Sequence, residues 1–179
     1  MTALISRQAG PLSGETAVPG DKSISHRALI LGALAVGETR ITGLLESDDV
    51  MRTAADVAAL GARAEGDGNG AWILYGRGVG GLSEPSGVLD MGNSGTAARL
   101  LLGVAATHSF TTTFTGDPSL SGRPMERVME PLRRMGAQFT TRSGGASRSP
   151  LPAPRRPFPS PTRCRSPRPR SSPRCFWRD

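Results

Sequence analysis

Cysteine is nearly missing from this chain: among 179 residues only Cys164 and Cys175 carry a thiol, and residues 1–143 carry none. The two lie too far apart for a paired zinc motif, and with His26 and His108 as the only histidines no cluster completes a metal site. Neither a disulfide, a metal nor a cofactor is expected. Long apolar runs are also missing, none approaching the roughly 20 residues that span a bilayer. The N-terminal Met1-Thr2-Ala3-Leu4-Ile5-Ser6-Arg7 is too short and too interrupted for a secretory signal. The default expectation is a cytoplasmic, enzyme-like domain with no membrane association. Acid is almost absent from residues 144–179, which hold nine arginines, one carboxylate side chain, no lysine and nine of the 15 prolines. That segment has a net charge of +8 against −1 for residues 1–143, so the high pI belongs to it alone. With almost no apolar runs to offset chain entropy, residues 144–179 are expected to be a disordered Arg/Pro/Ser-rich tail.

What is present is a doubled motif. Gly20-Asp21-Lys22-Ser23-Ile24-Ser25-His26-Arg27 returns in altered form as Gly92-Asn93-Ser94-Gly95-Thr96-Ala97-Ala98-Arg99, each copy running into an apolar, helix-like stretch. Either copy alone reads as an ordinary capped helix. Two copies with an arginine in register instead indicate a duplicated anion-binding unit, because free N–H groups at a helix start and a fixed cation both attract phosphate or carboxylate. At the same offset of 72 residues, Ala28-Leu29-Ile30 falls on Leu100-Leu101-Leu102 and Ala33 on Ala105. With small insertions, Ile41-Thr42-Gly43 corresponds to Phe114-Thr115-Gly116 and Leu60-Gly61-Ala62 to Met135-Gly136-Ala137. This period is too long for a solenoid and suits a whole α/β module.

The coarse pattern alternates strand and helix. A short strand is expected before Gly20, a helix over about 23–36 closed by Gly37, and a strand over Thr39–Leu44. Ser47 then caps a helix running to about Leu60, with Asp48 and Asp49 complementing its dipole and Val50, Ala54, Val57, Ala58 and Leu60 forming its buried face. Trp72–Tyr75 reads as one strand of a hairpin. The second unit repeats the order: a strand near Val88–Asp90, a helix over about Gly95–Ala106 and a strand over Phe110–Phe114. A helix then starts at Pro124, kinked or delayed by Pro131, and a closing strand runs over Gln138–Arg142.

Together with Leu44-Leu45-Glu46-Ser47-Asp48-Asp49-Val50 and Gly116-Asp117-Pro118-Ser119-Leu120-Ser121-Gly122-Arg123-Pro124-Met125, the doubled motif resembles the N-terminal part of the 5-enolpyruvylshikimate-3-phosphate synthase family, almost continuously over residues 14–143. The resemblance implies an α/β fold of repeated βαβαββ units, two of six present here at about 14–84 and 85–143, after an N-terminal segment 1–13 and before the tail. It implies a monomer that transfers the enolpyruvyl group of phosphoenolpyruvate to the 5-hydroxyl of shikimate 3-phosphate and releases phosphate. By the same resemblance Lys22 is the catalytic residue and contacts both substrates. Ser23 and Arg27 hold shikimate 3-phosphate, while Asn93, Gly95, Thr96 and Arg123 line the phosphoenolpyruvate pocket. Arg99 fits an ion pair beneath that pocket as well as a ligand, with the ion pair slightly favoured; His26 is expected to be exposed or structural, and Asp48 and Asp49 to be helix-start charges without a chemical role.

The family draws its acidic residues and further cations from a second domain, and a Ser-Ala-Gln segment from a third unit. Neither is found in this chain, so negligible turnover is expected. Read one frame over from Cys164, permitted codons spell Leu-Pro-Val-Pro-Ser-Ala-Gln-Val-Lys-Ser-Ala-Val-Leu-Leu-Ala-Gly, which makes a frameshift the leading account of the tail. Two other readings are open to the sequence. A basic arm binding nucleic acid or another polyanion is disfavoured by the hidden frame and the lack of lysine, so no nucleic acid is expected. A UDP-sugar enolpyruvyl transferase would carry Lys-Asn where this chain has Lys22-Ser23 and a cysteine near Arg123.

Overall fold

The computed structural model describes residues 5, 6, 8, 10, 11, 13–141 and 151–152. Helix α1 (Lys22–Leu34) opens on Asp21, whose extended backbone lets its carboxylate accept from the Ile24 N–H at 2.7 Å. His26, Leu29, Ile30 and Ala33 are buried along it, at the spacing that puts them on one helical face. Strand β1 (Val36–Ile41) follows at once, earlier than the expected Thr39–Leu44, and Gly37 lies inside the strand at φ 90° and does not close the helix. The sheet explains this shift. Strand β3 (Trp72–Arg77) pairs antiparallel with β1 from Val36↔Arg77 to Ile41↔Trp72. Gly76 lets that ladder lie against the helix end, where a Cβ would fall 2.2 Å from the Gly32 carbonyl and 2.3 Å from that of Ala35.

Helix α2 (Asp48–Ala59) starts after Ser47, whose hydroxyl makes no capping bond and is buried without a partner. The first-turn carboxylates of Asp48 and Asp49 remain to complement the dipole. Val50, Ala54, Val57 and Leu60 are buried as the pattern predicts, while Ala58 is exposed and Asp49, Thr53 and Asp56 turn inward. Strand β2 (Arg63–Gly66) pairs with the other side of β3, completing the hairpin and the order β1-β3-β2.

The second sheet joins β4 (Leu89–Asp90) in parallel to β5 (Thr113–Thr115), with helix α3 (Gly95–Ala105) as the crossover that a parallel pair requires. β5 lies further along the chain than the expected Phe110–Phe114. A short helix α4 (Pro118–Ser121), capped by Asp117, was not foreseen, and α5 (Glu126–Arg134) begins two residues after Pro124 with Pro131 inside it. Two expected strands do not form: residues 14–20 are exposed almost throughout and join no ladder, and residues 138–141 carry no strand. The free edge of β5 is taken instead by β6 (Leu151–Pro152), antiparallel. The rest of 144–179, with its expected disorder and frameshift, lies outside the described residues. Leu29, Val50, Leu74, Leu101, Leu102 and Phe114 centre the core and draw the starts of α1, α2 and α3 together.

Candidate functional site

The starts of those three helices form the site. Lys22, the chain's single lysine, pairs with Asp49 of α2. With its amide nitrogen turned toward that carboxylate, Asn93 donates to the two Asp49 oxygens at 3.3 and 3.2 Å. Asp49 therefore does more than complement a helix dipole: it ties the first glycine turn to the second. The sequence carried one signal for this, the helical spacing of Asp49, Thr53 and Asp56 beside Val50, Ala54 and Val57, which turns those polar residues inward. Asp48 stays exposed, as a helix-start charge should.

The two copies of the motif behave alike. Arg27 folds back to donate to the Ser23 carbonyl at 3.0 Å, and Arg99 to the Gly95 carbonyl at 2.9 Å, so each guanidinium lies over its own helix start. The ion pair expected for Arg99 does not form, because among the described residues no carboxylate lies within reach of it. It faces the Gly95 backbone instead. A Cβ on Gly95 would stand 2.6 Å from Nη1 of Arg99 and 3.0 Å from Nη1 of Arg123, so cations from α3 and from the loop after α4 converge on one backbone position. Thr96 is half-buried in the first turn of α3, and Arg123 is exposed with a Ser119 contact at 3.4 Å.

The turns themselves are pinned. Ser25 donates to the Asp21 carbonyl at 2.8 Å and accepts from the Leu45 N–H at 3.0 Å, holding the Gly43–Leu45 segment against Gly20. Gly92, at φ 52°, is fixed by an N–H bond of 3.0 Å to Asp90, which in turn pairs with Arg52. Ser94 caps α3 by accepting from the Ala97 N–H at 3.1 Å. His26 is wholly buried between these elements, and burial pushes its pKa below the ordinary 6.5.

The chemistry of this arrangement suits anions. Lys22, Ser23 and Arg27 present one locus at α1, and Gly95, Thr96, Arg99 and Arg123 a second at α3, with Asp49 and Asn93 between them. Among the described residues, no group of three or more His, Cys, Asp or Glu could hold a metal ion, and no helix is long and apolar enough to cross a membrane.

Residues 6–151 match the family model described as EPSP synthase (3-phosphoshikimate 1-carboxyvinyltransferase). The chain is 68% identical over 142 residues to the 3-phosphoshikimate 1-carboxyvinyltransferase of Paramagnetospirillum magneticum, covering 79% of this chain and 32% of that one. The corresponding protein of Paracoccus denitrificans is 56% identical over 164 residues, 92% of this chain and 37% of its own length. Among solved structures, EPSP synthase from Acinetobacter baumannii superposes with a TM-score of 0.74 at 45% identity, covering 79% of this chain and 32% of that chain. The chain thus spans about a third of the length of the curated relatives it matches.

Proposed function

The chain belongs to the EPSP synthase family, and from that premise we propose that its two anion loci bind shikimate 3-phosphate and phosphoenolpyruvate, one half of the cleft in which the whole protein transfers the enolpyruvyl group. Lys22, Ser23 and Arg27 take shikimate 3-phosphate; Lys22, Asn93, Gly95, Thr96 and Arg123 take phosphoenolpyruvate. The observation that carries this reading is the Lys22–Asp49–Asn93 link, which joins the two loci through one carboxylate. In the transfer the 5-hydroxyl loses a proton and attacks C2 of phosphoenolpyruvate while the methylene carbon gains one; the tetrahedral intermediate then loses a proton from the resulting methyl group and expels phosphate, which restores the carbon–carbon double bond. The part these residues play is electrostatic and positional. Guanidinium groups clamp the phosphate and carboxylate, and Lys22, anchored by Asp49, lies where negative charge develops. We further infer two units, about 14–84 and 85–143, acting in a cytoplasmic monomer.

Calorimetric titration of the purified chain tests the reading. Shikimate 3-phosphate and phosphoenolpyruvate are both expected to bind, with no measurable enolpyruvyl transfer. Losing one charge-assisted contact weakens binding roughly tenfold to a hundredfold. Lys22→Met is therefore expected to weaken both ligands, Arg27→Ala shikimate 3-phosphate alone and Arg123→Ala phosphoenolpyruvate alone. A folded chain that binds neither ligand sinks the proposal, and the reverse selectivity in the arginine variants sinks the assignment of loci.

Gly95→Ala gives a separate result. The atoms nearest its methyl are the ends of two flexible arginines, so stability should change by less than ~1 kcal/mol. Phosphoenolpyruvate affinity should fall about tenfold, since both guanidinium groups must move away from the position that holds it.

A further inference from the structure

We propose that His26 is a positioning residue: bridging Thr53 of α2 and Ser94 at the cap of α3, it sets the second glycine turn against Lys22 and so shapes the phosphoenolpyruvate half of the site. The ligand assignment rests on the function proposed above; the bridge itself does not.

One assignment of donor and acceptor roles partners every proton in the bridge. The Thr53 hydroxyl donates its one proton to the Asp49 carbonyl at 3.3 Å, so Thr53 Oγ1 accepts from His26 Nδ1–H at 2.8 Å. That leaves Nε2 as the acceptor, and the Ser94 hydroxyl donates to it at 3.2 Å while still accepting from the Ala97 N–H at 3.1 Å. A neutral imidazole with its proton on Nδ1 satisfies every group. Burial disfavours the imidazolium, and the positive charges of Lys22 and Arg27 on the same helix reinforce this; Asp49 of α2 opposes it. From α3, the group bonded to the ring is the Ser94 hydroxyl.

The bridge lies one layer beneath the site. Lys22 and His26 are one helical turn apart, as are Asp49 and Thr53, and Asn93 precedes Ser94. The three elements joined at the surface by Lys22–Asp49–Asn93 are thus joined again by His26–Thr53–Ser94. An apolar side chain of similar volume would fill the same space without fixing the Ser94 hydroxyl, and would leave Thr53 with one fewer partner. Because α1 has its own cap in Asp21, loss of the bridge falls on the second turn and spares the shikimate 3-phosphate locus.

The test compares His26→Asn, whose amide reaches Thr53 but not Ser94, with His26→Gln, whose longer amide reaches Ser94. In the full chain, His26→Asn is expected to speed hydrogen exchange at the Ala97 amide about tenfold and to weaken phosphoenolpyruvate about tenfold, with shikimate 3-phosphate changed less than about twofold. His26→Gln is expected to recover most of both losses. Ala97 exchange and phosphoenolpyruvate affinity unchanged in His26→Asn would overturn the proposal. Ring nitrogen shifts in the unaltered chain, which has only two histidines, supply an arm that needs neither ligand nor variant. A single neutral tautomer with a titration midpoint below 6.5 supports the bridge, and ring nitrogens averaged between the two tautomers with a midpoint at or above 6.5 overturn it even if the variants fail to fold. Should the unaltered chain bind neither substrate, the function proposed above fails while Ala97 exchange and the tautomer still decide this point.

Discussion

Alanine at position 20 is expected to cost this chain about 3 kcal/mol or more, a large share of the 5–15 kcal/mol typical of a folded domain. The reason is contact, because Gly20 is not among the glycines at positive φ. A Cβ there would lie 2.1 Å from the Gly43 carbonyl oxygen and 3.1 Å from the Leu45 nitrogen, both backbone atoms. Neither can yield cheaply. Leu44 donates to the Gly70 carbonyl at 2.9 Å, Leu45 to Ser25 at 3.0 Å, and Glu46 accepts from the Trp72 indole at 2.7 Å. Relief of the clash must break some of these bonds or displace Asp21 and Lys22 from the helix start. Thermal melts followed by circular dichroism check this, with Gly103→Ala as the control. Gly103 lies inside α3 with nothing within 4 Å of an added Cβ, so that change is expected to stabilise by about 0.5–1 kcal/mol. A Gly20→Ala melt within ~1 kcal/mol of the parent would show that the approach of Gly20 to Gly43 is not as close as described.

Asparagine at position 56 is expected to raise stability, and only at the alkaline side. Asp56 is buried on α2 with Oδ2 lacking a hydrogen-bond partner, and its pKa is pushed from 3.8 to about 7, first by burial and then by Asp90, against the pull of Arg52. The folded state therefore holds a proton over an interval in which the unfolded chain has lost it. Below about 3.8 both states are protonated and no penalty exists; as pH rises through the interval toward 7, stability falls, and above 7 the folded chain carries a buried carboxylate. The gap sets an upper bound of roughly 4 kcal/mol, and relaxation with water entry brings the expected gain of Asp56→Asn near pH 8 to about 2 kcal/mol. Near pH 4 parent and variant should melt together. His26 adds a slope of opposite sign, because its lowered pKa makes stability fall as pH drops below 6.5. Both chains keep His26, so their difference isolates Asp56. Equal denaturant midpoints at pH 8 would mean that the carboxylate is already solvated or paired.

The helices were legible because their signals are local. The glycine turns, the Ser47 boundary and the apolar spacing of Leu29, Ile30, Val50, Val57, Leu101 and Leu102 place α1, α2 and α3 to within a residue or two. Strand edges were less legible. β1 begins early because Gly76 admits the sheet to the end of α1, and β5 pairs with Leu151–Pro152 while residues 138–141 join no ladder. A strand is fixed by what lies beside it, and the neighbour comes from elsewhere in the chain.

For the site, sequence alone determined the duplicated turns and the arginine in each. The matching fold-back of Arg27 and Arg99 is local too, each bonding a carbonyl four residues earlier. Only the tertiary structure decided what joins the copies. Lys22 meets Asp49 across 27 residues and His26 meets Ser94 across 68, and no pattern of neighbours along the chain specifies either contact. Asp49 read as a dipole charge because that is the use that local spacing reveals, while Arg99 fitted an ion pair as well as a ligand. Packing α1, α2 and α3 on one core instead placed the carboxylate between two turns and Arg99 beside Arg123 at Gly95, since buried polar groups take their partners from whatever the core brings within reach.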